Sequence, residues 1–180
     1  MLPSLRDGQF LGRGAFKNVI AKVRNGGPVA VMTSDANDLS SEAALMRSLL
    51  AFPHPHVLPL LATESTLQAS VAIVAPVALF GSIYDLVDHL DFENMTLSFV
   101  DISVTTLQVA EAVLHLAKLG IDHGDVCAKN VLVMNYDPDH ATRMHVCLAD
   151  FGQCRLLRNS AVLSASLASL VRELYALAEC

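Results

Sequence analysis

The sequence has no tryptophan, few other aromatic residues and few charges, and these shortages exclude several protein classes. Of its 180 residues, 6% are aromatic and 17% are charged, whereas 53% are hydrophobic. Its 12 basic and 18 acidic residues give a net charge of −6, without a basic run. Because nucleic-acid binding needs clustered Lys and Arg to neutralise phosphates, we expect no nucleic-acid partner. The high apolar content predicts one globular domain with a large core.

Long apolar runs and closely spaced cysteines are also missing. The longest apolar run, Val71 to Phe80, is interrupted by Pro76 and is shorter than the roughly 20 residues that cross a bilayer. The N-terminal residues lack the apolar segment of a secretory signal peptide. The 4 cysteines include no C-x-x-C spacing, so reduced thiols are predicted rather than disulfides or a zinc site. We therefore expect a cytoplasmic protein with no membrane partner.

The first part of the chain has the pattern of a sheet. Apolar segments at 10–11, 19–23 and 29–32 are separated by glycine-containing turns, which predicts a three-stranded meander. A helix is predicted from Asp38 or Ser40 until Pro53 and Pro55 end it, with Glu42 at the inward edge of its apolar stripe. Two further strands are predicted at 57–61 and 71–75.

Beyond Gly81 the apolar residues recur at helical spacing. Helices are predicted at 82–90 and 101–119, the second with Leu107, Ala110, Leu114 and Ala117 on its apolar face. Two short strands follow at 131–133 and 145–148, and then a final helix. A sheet-rich part followed by a helix-rich part predicts an α+β protein with two lobes.

Three motifs occur in order along this pattern. They are Gly12-Arg-Gly14-Ala-Phe-Lys17-Asn-Val19, His123-Gly-Asp125-Val-Cys-Ala-Lys-Asn130 and Asp150-Phe-Gly152. A glycine-rich loop alone is more often a tight turn than a phosphate cradle. Together, however, the three motifs resemble the series found in eukaryotic-type protein kinases. The resemblance covers about residues 8–155. It implies one bilobal kinase-like domain over 1–180, with an antiparallel-sheet N-lobe at 1–78 and a reduced, mainly helical C-lobe at 79–180.

The resemblance implies a role for each polar residue of the second and third motifs. Asp125 matches the catalytic aspartate, while Asn130 and Asp150 match the two ligands of the Mg²⁺ that accompanies ATP. Lys129 could reach the transferring phosphate, or it could be a solvated loop lysine. Gly124 replaces the arginine that pairs with a phosphorylated activation loop, which argues against that form of control.

A second set of residues matches the family's nucleotide-binding positions. Ala75 corresponds to the gatekeeper, and the chain from Pro76 to Ala78 corresponds to the hinge that binds adenine through its backbone. Glu42 corresponds to the helix glutamate that pairs with the phosphate-anchoring lysine, although an ordinary solvent-facing charge is the alternative. The implied nucleotide-binding residues are Gly12, Gly14, Lys17, Val19, Ala30, Glu42, Ala75, Val77, Ala78 and Leu132.

The anchoring lysine itself is displaced. The strand motif V-A-I-K appears as Val29-Ala30-Val31-Met32, and methionine cannot bind a phosphate. Residues two apart on a strand share a face, so Lys17 points the same way as Val19. This arrangement resembles the with-no-lysine kinases, whose lysine comes from the loop side. The alternative is a degraded pseudokinase in which Lys17 is a surface side chain.

Two function classes therefore follow from the sequence. The first is an ATP-dependent phosphotransferase acting on a hydroxyl, with Ser or Thr of a protein favoured over Tyr. The second is an ATP-binding pseudokinase that serves a partner subunit as a scaffold. The final helix carries an apolar stripe, which predicts a homodimer or another partner chain covering it. The stripe consists of Leu163, Leu167, Leu170, Leu174 and Leu177, and Ala168, Val171, Tyr175 and Ala178 extend the apolar surface around the helix.

Other candidate groups carry weaker signals. His54 with His56, and His145 with Cys147, lack further ligands at zinc spacing, so core and loop roles are favoured. Cys127 and Cys154 flank the predicted site, where a redox-sensitive pair and two inert thiols are both compatible with the sequence. The final helix of this chain resembles the central helix of the family's large lobe, which begins with an aspartate that anchors the catalytic loop. Ser164 or Ser166 stands near the place of that aspartate here.

Overall fold

The computed structural model of the chain describes residues 6–13, 17–34, 38–66, 70–93, 96–140, 143–157 and 161–178, with residues 13 and 161–165 described by their backbone alone. The chain forms two compact units. The first comprises residues 1–53 and 58–77, and the second comprises residues 54–57 and 78–180. The first is built on an antiparallel sheet and the second is mainly helical, which confirms the predicted α+β class.

The described residues of the first unit form five strands and one helix. They are β1 (Phe10–Arg13), β2 (Asn18–Arg24), β3 (Gly27–Thr33), α1 (Ser40–Leu49), β4 (Ala62–Ser65) and β5 (Val71–Pro76). The spatial order is β1-β2-β3-β5-β4, and all pairings are antiparallel. Asn25 and Gly26 both have positive φ and form the tight turn between β2 and β3. The predicted meander is confirmed.

The prediction of a strand at 57–61 is wrong. Only Val57 makes a bridge there, and its partner is Leu148 in the second unit, to which residues 54–57 belong. The backbone N–H of Leu61 does bond to the carbonyl of Val74, so strand pairing begins where β4 begins. The two prolines at 55 and 59 remove backbone donors, which explains why this apolar segment does not form a ladder.

The register of the sheet separates two faces. Val29, Val31 and Val74 lie on one face, where they form an apolar cluster with Ile20 and Ala62. Strand alternation places the other members of the same strands on the opposite face. These are Val19, Ala21, Ala30, Met32, Ile73 and Ala75, as the pairings Val19–Met32, Ala30–Ala75 and Met32–Ile73 show.

The described part of the second unit forms three helices, four strands and two short 3-10 turns. They are α2 (Ile83–Phe92), α3 (Phe99–Lys118), β6 (Ile121–Asp122), a turn at Ala128–Asn130, β7 (Val131–Tyr136), β8 (Met144–Leu148), a turn at Phe151–Gln153, β9 (Arg155–Leu156) and α4 (Ala161–Ala178). Capping boxes fix the starts of α2 and α3, formed by Ser82 with Asp85 and by Ser98 with Asp101.

The apolar face predicted for α3 is wrong. Leu107 and Leu114 are 61% and 53% exposed, whereas Val109, Ala112 and Leu116 are buried against neighbouring elements that include β8 and α4. The helix is apolar on most sides, so its bulkiest residues did not identify the inward stripe. Length and composition alone would also let α3 cross a membrane, although 39% of its apolar window is buried within the chain.

The structure corrects part of the prediction for α4. Leu170 and Leu174 are fully buried within this chain, on a helix that packs against α3 and α2. They are therefore not available to a second chain. Tyr175 is 42% exposed, and the exposed side of α4 also carries Ala168 and Ala176. Homodimerisation through this helix stays a prediction and would have to use that other side.

Four histidine rings meet in the second unit. His54 stacks on His115 with ring centroids 4.8 Å apart, and His56 lies 5.7 Å from His54 and 5.3 Å from His145. Within the described ranges no three His, Cys, Asp or Glu side chains are placed to hold a metal ion. Burial lowers the pKa of His54, and the neighbouring His115, His56 and Lys118 lower it further against the opposing charge of Glu111.

We predict that this cluster makes the chain sensitive to acid. Unfolded His54 takes up a proton near pH 6.5 and folded His54 only at lower pH, so stability falls as the pH drops through 6.5. The free energy of unfolding, measured with denaturant, should fall less between about pH 7.5 and 5.5 in His54→Gln than in the wild type. His89→Gln, at an exposed histidine of α2, is the control, and its free energy of unfolding should change with pH as in the wild type. If His54→Gln also kept the wild-type pH dependence, the assignment would be contradicted.

Candidate active site

The hairpin of β7 and β8 brings the second and third motifs together. Val131, the first residue of β7, pairs with Leu148, the last of β8. The ladder continues one step further, because the N–H of Ala149 donates to the carbonyl of Asn130 at 2.8 Å. Asn130 and Asp150 therefore flank the same end of one hairpin. Asp150 has a φ of 63°, and its carboxylate accepts a hydrogen bond from the N–H of Gly152.

Asp125 and Asn130 are joined directly. The side-chain amide of Asn130 donates to the backbone oxygen of Asp125 at 2.9 Å and to its carboxylate Oδ2 at 2.8 Å. Both bonds use the nitrogen of the amide, so the oxygen Oδ1 is the atom that remains for a cation. Asp125 itself is exposed.

The donor atoms suit a magnesium ion held together with phosphates. Mg²⁺ prefers oxygen ligands and usually takes one or two from the protein, with substrate phosphates and water supplying the rest. Asn130 offers an amide oxygen, and Asp150 offers a carboxylate at the same hairpin end. Across the described residues no group of three His, Cys, Asp or Glu side chains could form a complete protein cage. The residues fit a metal that arrives with its nucleotide.

His123 connects the second motif to the residues around the third. It is 2% exposed, its Nε2 lies 3.0 Å from the carbonyl of Ala149, and its ring meets that of Phe151 edge-on at 5.4 Å. Burial lowers the pKa of His123, so the neutral ring donates from Nε2 to that carbonyl. Nδ1 has no hydrogen-bond partner among the residues described. This contact links the second motif to the third.

The backbone conformation at position 124 requires a glycine. It has a φ of 80°, and a Cβ there would overlap the carbonyl oxygen of Gln153. Asp122, 4% exposed, accepts the N–H of Gly124 on Oδ1 and binds Arg155 Nε through Oδ2 at 2.8 Å. The sequence presented Gly124 only as a lost arginine. In the structure, Gly124 has a left-handed backbone and lies against the backbone carbonyl of Gln153.

The first unit joins Lys17 to Glu42. The ammonium of Lys17 lies 2.8 Å from Oε1 and 2.7 Å from Oε2 of Glu42, with 14% and 6% of the two side chains exposed. Glu42 is buried on α1 beside Ala43 and Met46, so it lies on the inward stripe as predicted. Lys17 precedes β2 by one residue and shares the face of Val19 and Met32. The lysine therefore comes from the residue just before β2 and shares a face with Met32 on β3.

The remaining predicted nucleotide residues divide between the two units. Ala30 and Ala75 are directly opposed across β3 and β5, are 8% and 0% exposed, and share the face of Val19. Gly12 pairs with Val19, and Val77 is buried just beyond β5. In the second unit, Ala78 accepts the N–H of Gly81, and Leu132 bridges to Ser82. Gly14 lies outside the described residues.

A family model described as protein tyrosine and serine/threonine kinase matches residues 5–176. The chain belongs to this kinase family. It is 31% identical over 171 residues to serine/threonine-protein kinase unc-51 of Caenorhabditis elegans, a match over 88% of this chain and 19% of that protein. It is 27% identical over 150 residues to the probable serine/threonine-protein kinase gdt4 of Dictyostelium discoideum, over 82% of this chain and 9% of that protein. This kinase-family chain thus spans a small part of the length of both relatives.

Two residues of this kinase-family site escaped the sequence analysis. Tyr84, on α2, lies under the ammonium of Lys129, which is 5.3 Å from the ring centroid. Glu173, on α4, accepts the hydroxyl of Tyr84 at 2.9 Å and the N–H of Ala128 at 2.9 Å. No local motif marks either residue, because the contacts span 45 and 89 positions of sequence. Lys129 is exposed, and its role at a phosphate stays a prediction.

We predict that Gly124 tolerates no side chain. Gly120→Ala is the matched control, since Gly120 has a φ of 75° with nothing within 4 Å of a built Cβ. Gly120→Ala should cost about 1–2 kcal/mol for the left-handed backbone alone. Gly124→Ala should cost about 1–3 kcal/mol more, because backbone must move to relieve the overlap. Equal losses in thermal or denaturant unfolding would refute the overlap, and the same clash means that Gly124→Arg should damage the loop.

Proposed function

We propose that this chain binds ATP with Mg²⁺ and transfers the γ-phosphate to the hydroxyl of Ser or Thr in a protein. The observation that carries the proposal is the buried pair of Lys17 and Glu42. A buried ion pair costs desolvation energy and adds little stability by itself. Its presence beside Met32, where the family's lysine is missing, supports a retained phosphate-binding role. The two relatives named as serine/threonine kinases support the choice of acceptor.

Each unit supplies a distinct part of the chemistry. Lys17 would bind the phosphates by charge, and Glu42 would hold its ammonium in place through two contacts. Asn130 and Asp150 would hold Mg²⁺, which neutralises charge on the phosphates when bound. Val19, Ala30 and Ala75 present small apolar side chains on the face that carries Lys17, suited to the flat adenine ring.

Asp125 would act on the acceptor. Its carboxylate, oriented by the amide of Asn130, would accept a hydrogen bond from the substrate hydroxyl. As the hydroxyl oxygen forms its bond to the γ-phosphorus, the bond from that phosphorus to the bridging oxygen of ADP breaks. The hydroxyl proton passes to Asp125. The main contribution of the protein is position and charge rather than covalent chemistry.

A pseudokinase that binds ATP and serves as a scaffold is the second candidate. Met32 favours it, because loss of the strand lysine is the change that would disable a kinase of ordinary arrangement. The two candidates differ in turnover. Phosphate transfer from labelled ATP to a mixed Ser/Thr peptide library supports the enzyme, whereas ATP binding without transfer supports the scaffold.

We predict that Lys17→Met abolishes Mg²⁺-dependent ATP binding, because the variant removes the ammonium that Glu42 holds on that face. Calorimetry or a fluorescent nucleotide measures the loss. Lys22→Met is the matched control on the same strand, since Lys22 pairs with Val29 and belongs to the opposite face. Near-wild-type affinity in Lys17→Met, or equal loss in both variants, would contradict the assignment. Met32→Lys added to Lys17→Met should restore part of the affinity.

We also predict that the two aspartates fail differently. Asp125→Asn should keep ATP and Mg²⁺ binding but lower turnover by about 100-fold or more, because the group that takes the proton is gone. Asp150→Asn should weaken the Mg²⁺ dependence of ATP binding itself. Titration of Mg²⁺ at fixed ATP, alongside turnover, separates these defects. Turnover retained in Asp125→Asn would show that another group accepts the proton.

A further inference from the structure

Glu173 connects three elements of the second unit through its two carboxylate oxygens. Oε2 accepts the backbone N–H of Ala128, at the start of the 3-10 turn, and Oε1 accepts the hydroxyl of Tyr84 on α2. Both distances are 2.9 Å. One side chain of α4 therefore fixes both α2 and the segment that carries Asp125 and Asn130.

The turn at Ala128 needs such a partner. Ala128 is fully buried, and the preceding residue, Cys127, supplies no side-chain cap to the turn. A buried N–H without an acceptor is costly, and a charged acceptor makes a stronger bond than a neutral one. Ala128 lies three residues after Asp125 and two before Asn130. A shift of its backbone would carry both side chains with it.

Tyr84 fixes the carboxylate from the other side. The hydrogen bond to Glu173 raises the pKa of Tyr84, as expected of a hydroxyl that donates to an anion. The ammonium of Lys129 lies over the same ring, where the negative face of the aromatic system attracts its positive charge. The carboxylate of Glu173 is thus held in one orientation rather than swinging freely from α4.

We propose that Glu173 is a positioning residue for phosphoryl transfer, acting through the N–H of Ala128 on the Asp125–Asn130 loop. The inference rests on the proposed function. It also assigns an anchor to a loop for which the sequence showed none, since serine stands near the start of α4 where an aspartate is expected. Ser166 precedes Glu173 by about two helical turns.

Steady-state kinetics and amide exchange of the Ala128 N–H test the inference in the full chain. Glu173→Ala should lower kcat about 10- to 100-fold with little change in the KM for ATP, and should speed Ala128 exchange. Glu173→Gln should retain both properties within a few-fold, because its amide oxygen can accept from Ala128 and its nitrogen can donate to Tyr84. Arg172→Ala, at the exposed neighbour on α4, is the control for altering this helix.

A double-mutant cycle distinguishes positioning from general support of the fold. Ala128→Pro removes the N–H, and the extended backbone of Cys127, with φ −148° and ψ 164°, is compatible with a following proline. If Glu173 acts through that N–H, Glu173→Ala should add no further loss of kcat in the Ala128→Pro background. Full additivity would overturn the proposal, as would equal damage in Glu173→Gln and Glu173→Ala.

Failure of the proposed function gives a different result. A wild-type chain that binds ATP but transfers no phosphate removes the enzyme, and amide exchange then decides the anchoring alone. Faster exchange at Ala128 in Glu173→Ala, with wild-type exchange in Glu173→Gln, supports the loop anchor. Unchanged protection in Glu173→Ala overturns it.

Discussion

A carboxylate removed from water must be paired, and this constraint organises both units of the chain. The described buried carboxylates are Glu42, Asp101 and Asp122, at 6%, 1% and 4% exposure. Each binds a cation, and the partners are Lys17, Arg143 and Arg155, respectively. Leaving such a charge unpaired costs about 3–5 kcal/mol, so neither member of a pair can change alone without consequence. Each ion pair therefore fixes the relative position of two segments more closely than non-directional apolar contacts would.

The three pairs join segments that are distant in sequence at places where the backbone turns. Arg143 brings the start of β8 to the start of α3, and Arg155 holds β9 beside β6. The second contact keeps Asp122 where it accepts the N–H of Gly124, so the loop that carries Asp125 begins from a defined point. The first unit follows the same rule, because buried Glu42 on α1 is paired with Lys17, one residue before β2.

The site contacts that could be predicted from the sequence are those that follow from strand alternation and helical spacing. Strand alternation placed Lys17 with Val19, and helical spacing placed Glu42 inward, so their contact follows from patterns in neighbouring residues. Glu173 could not be found this way, because its contact with Ala128 depends on how α4 packs. The buried face of α3 was misjudged for a related reason: on a helix apolar on most sides, only the neighbouring elements decide which residues are covered. Gly124 likewise required knowledge of where Gln153 lies.

Burial of the loop that carries Asp125 also bears on its cysteine. Burial raises the pKa of Cys127, and the charges of Asp125 and Glu173 raise it further. A thiol must ionise to act as a nucleophile or to form a disulfide readily. Burial and the nearby negative charges therefore keep Cys127 protonated, which favours the inert thiol over one half of a redox pair with Cys154. Mg²⁺ bound at the loop without nucleotide would offset those charges, so labelling of Cys127 by a thiol reagent should become faster, not slower, when Mg²⁺ is added.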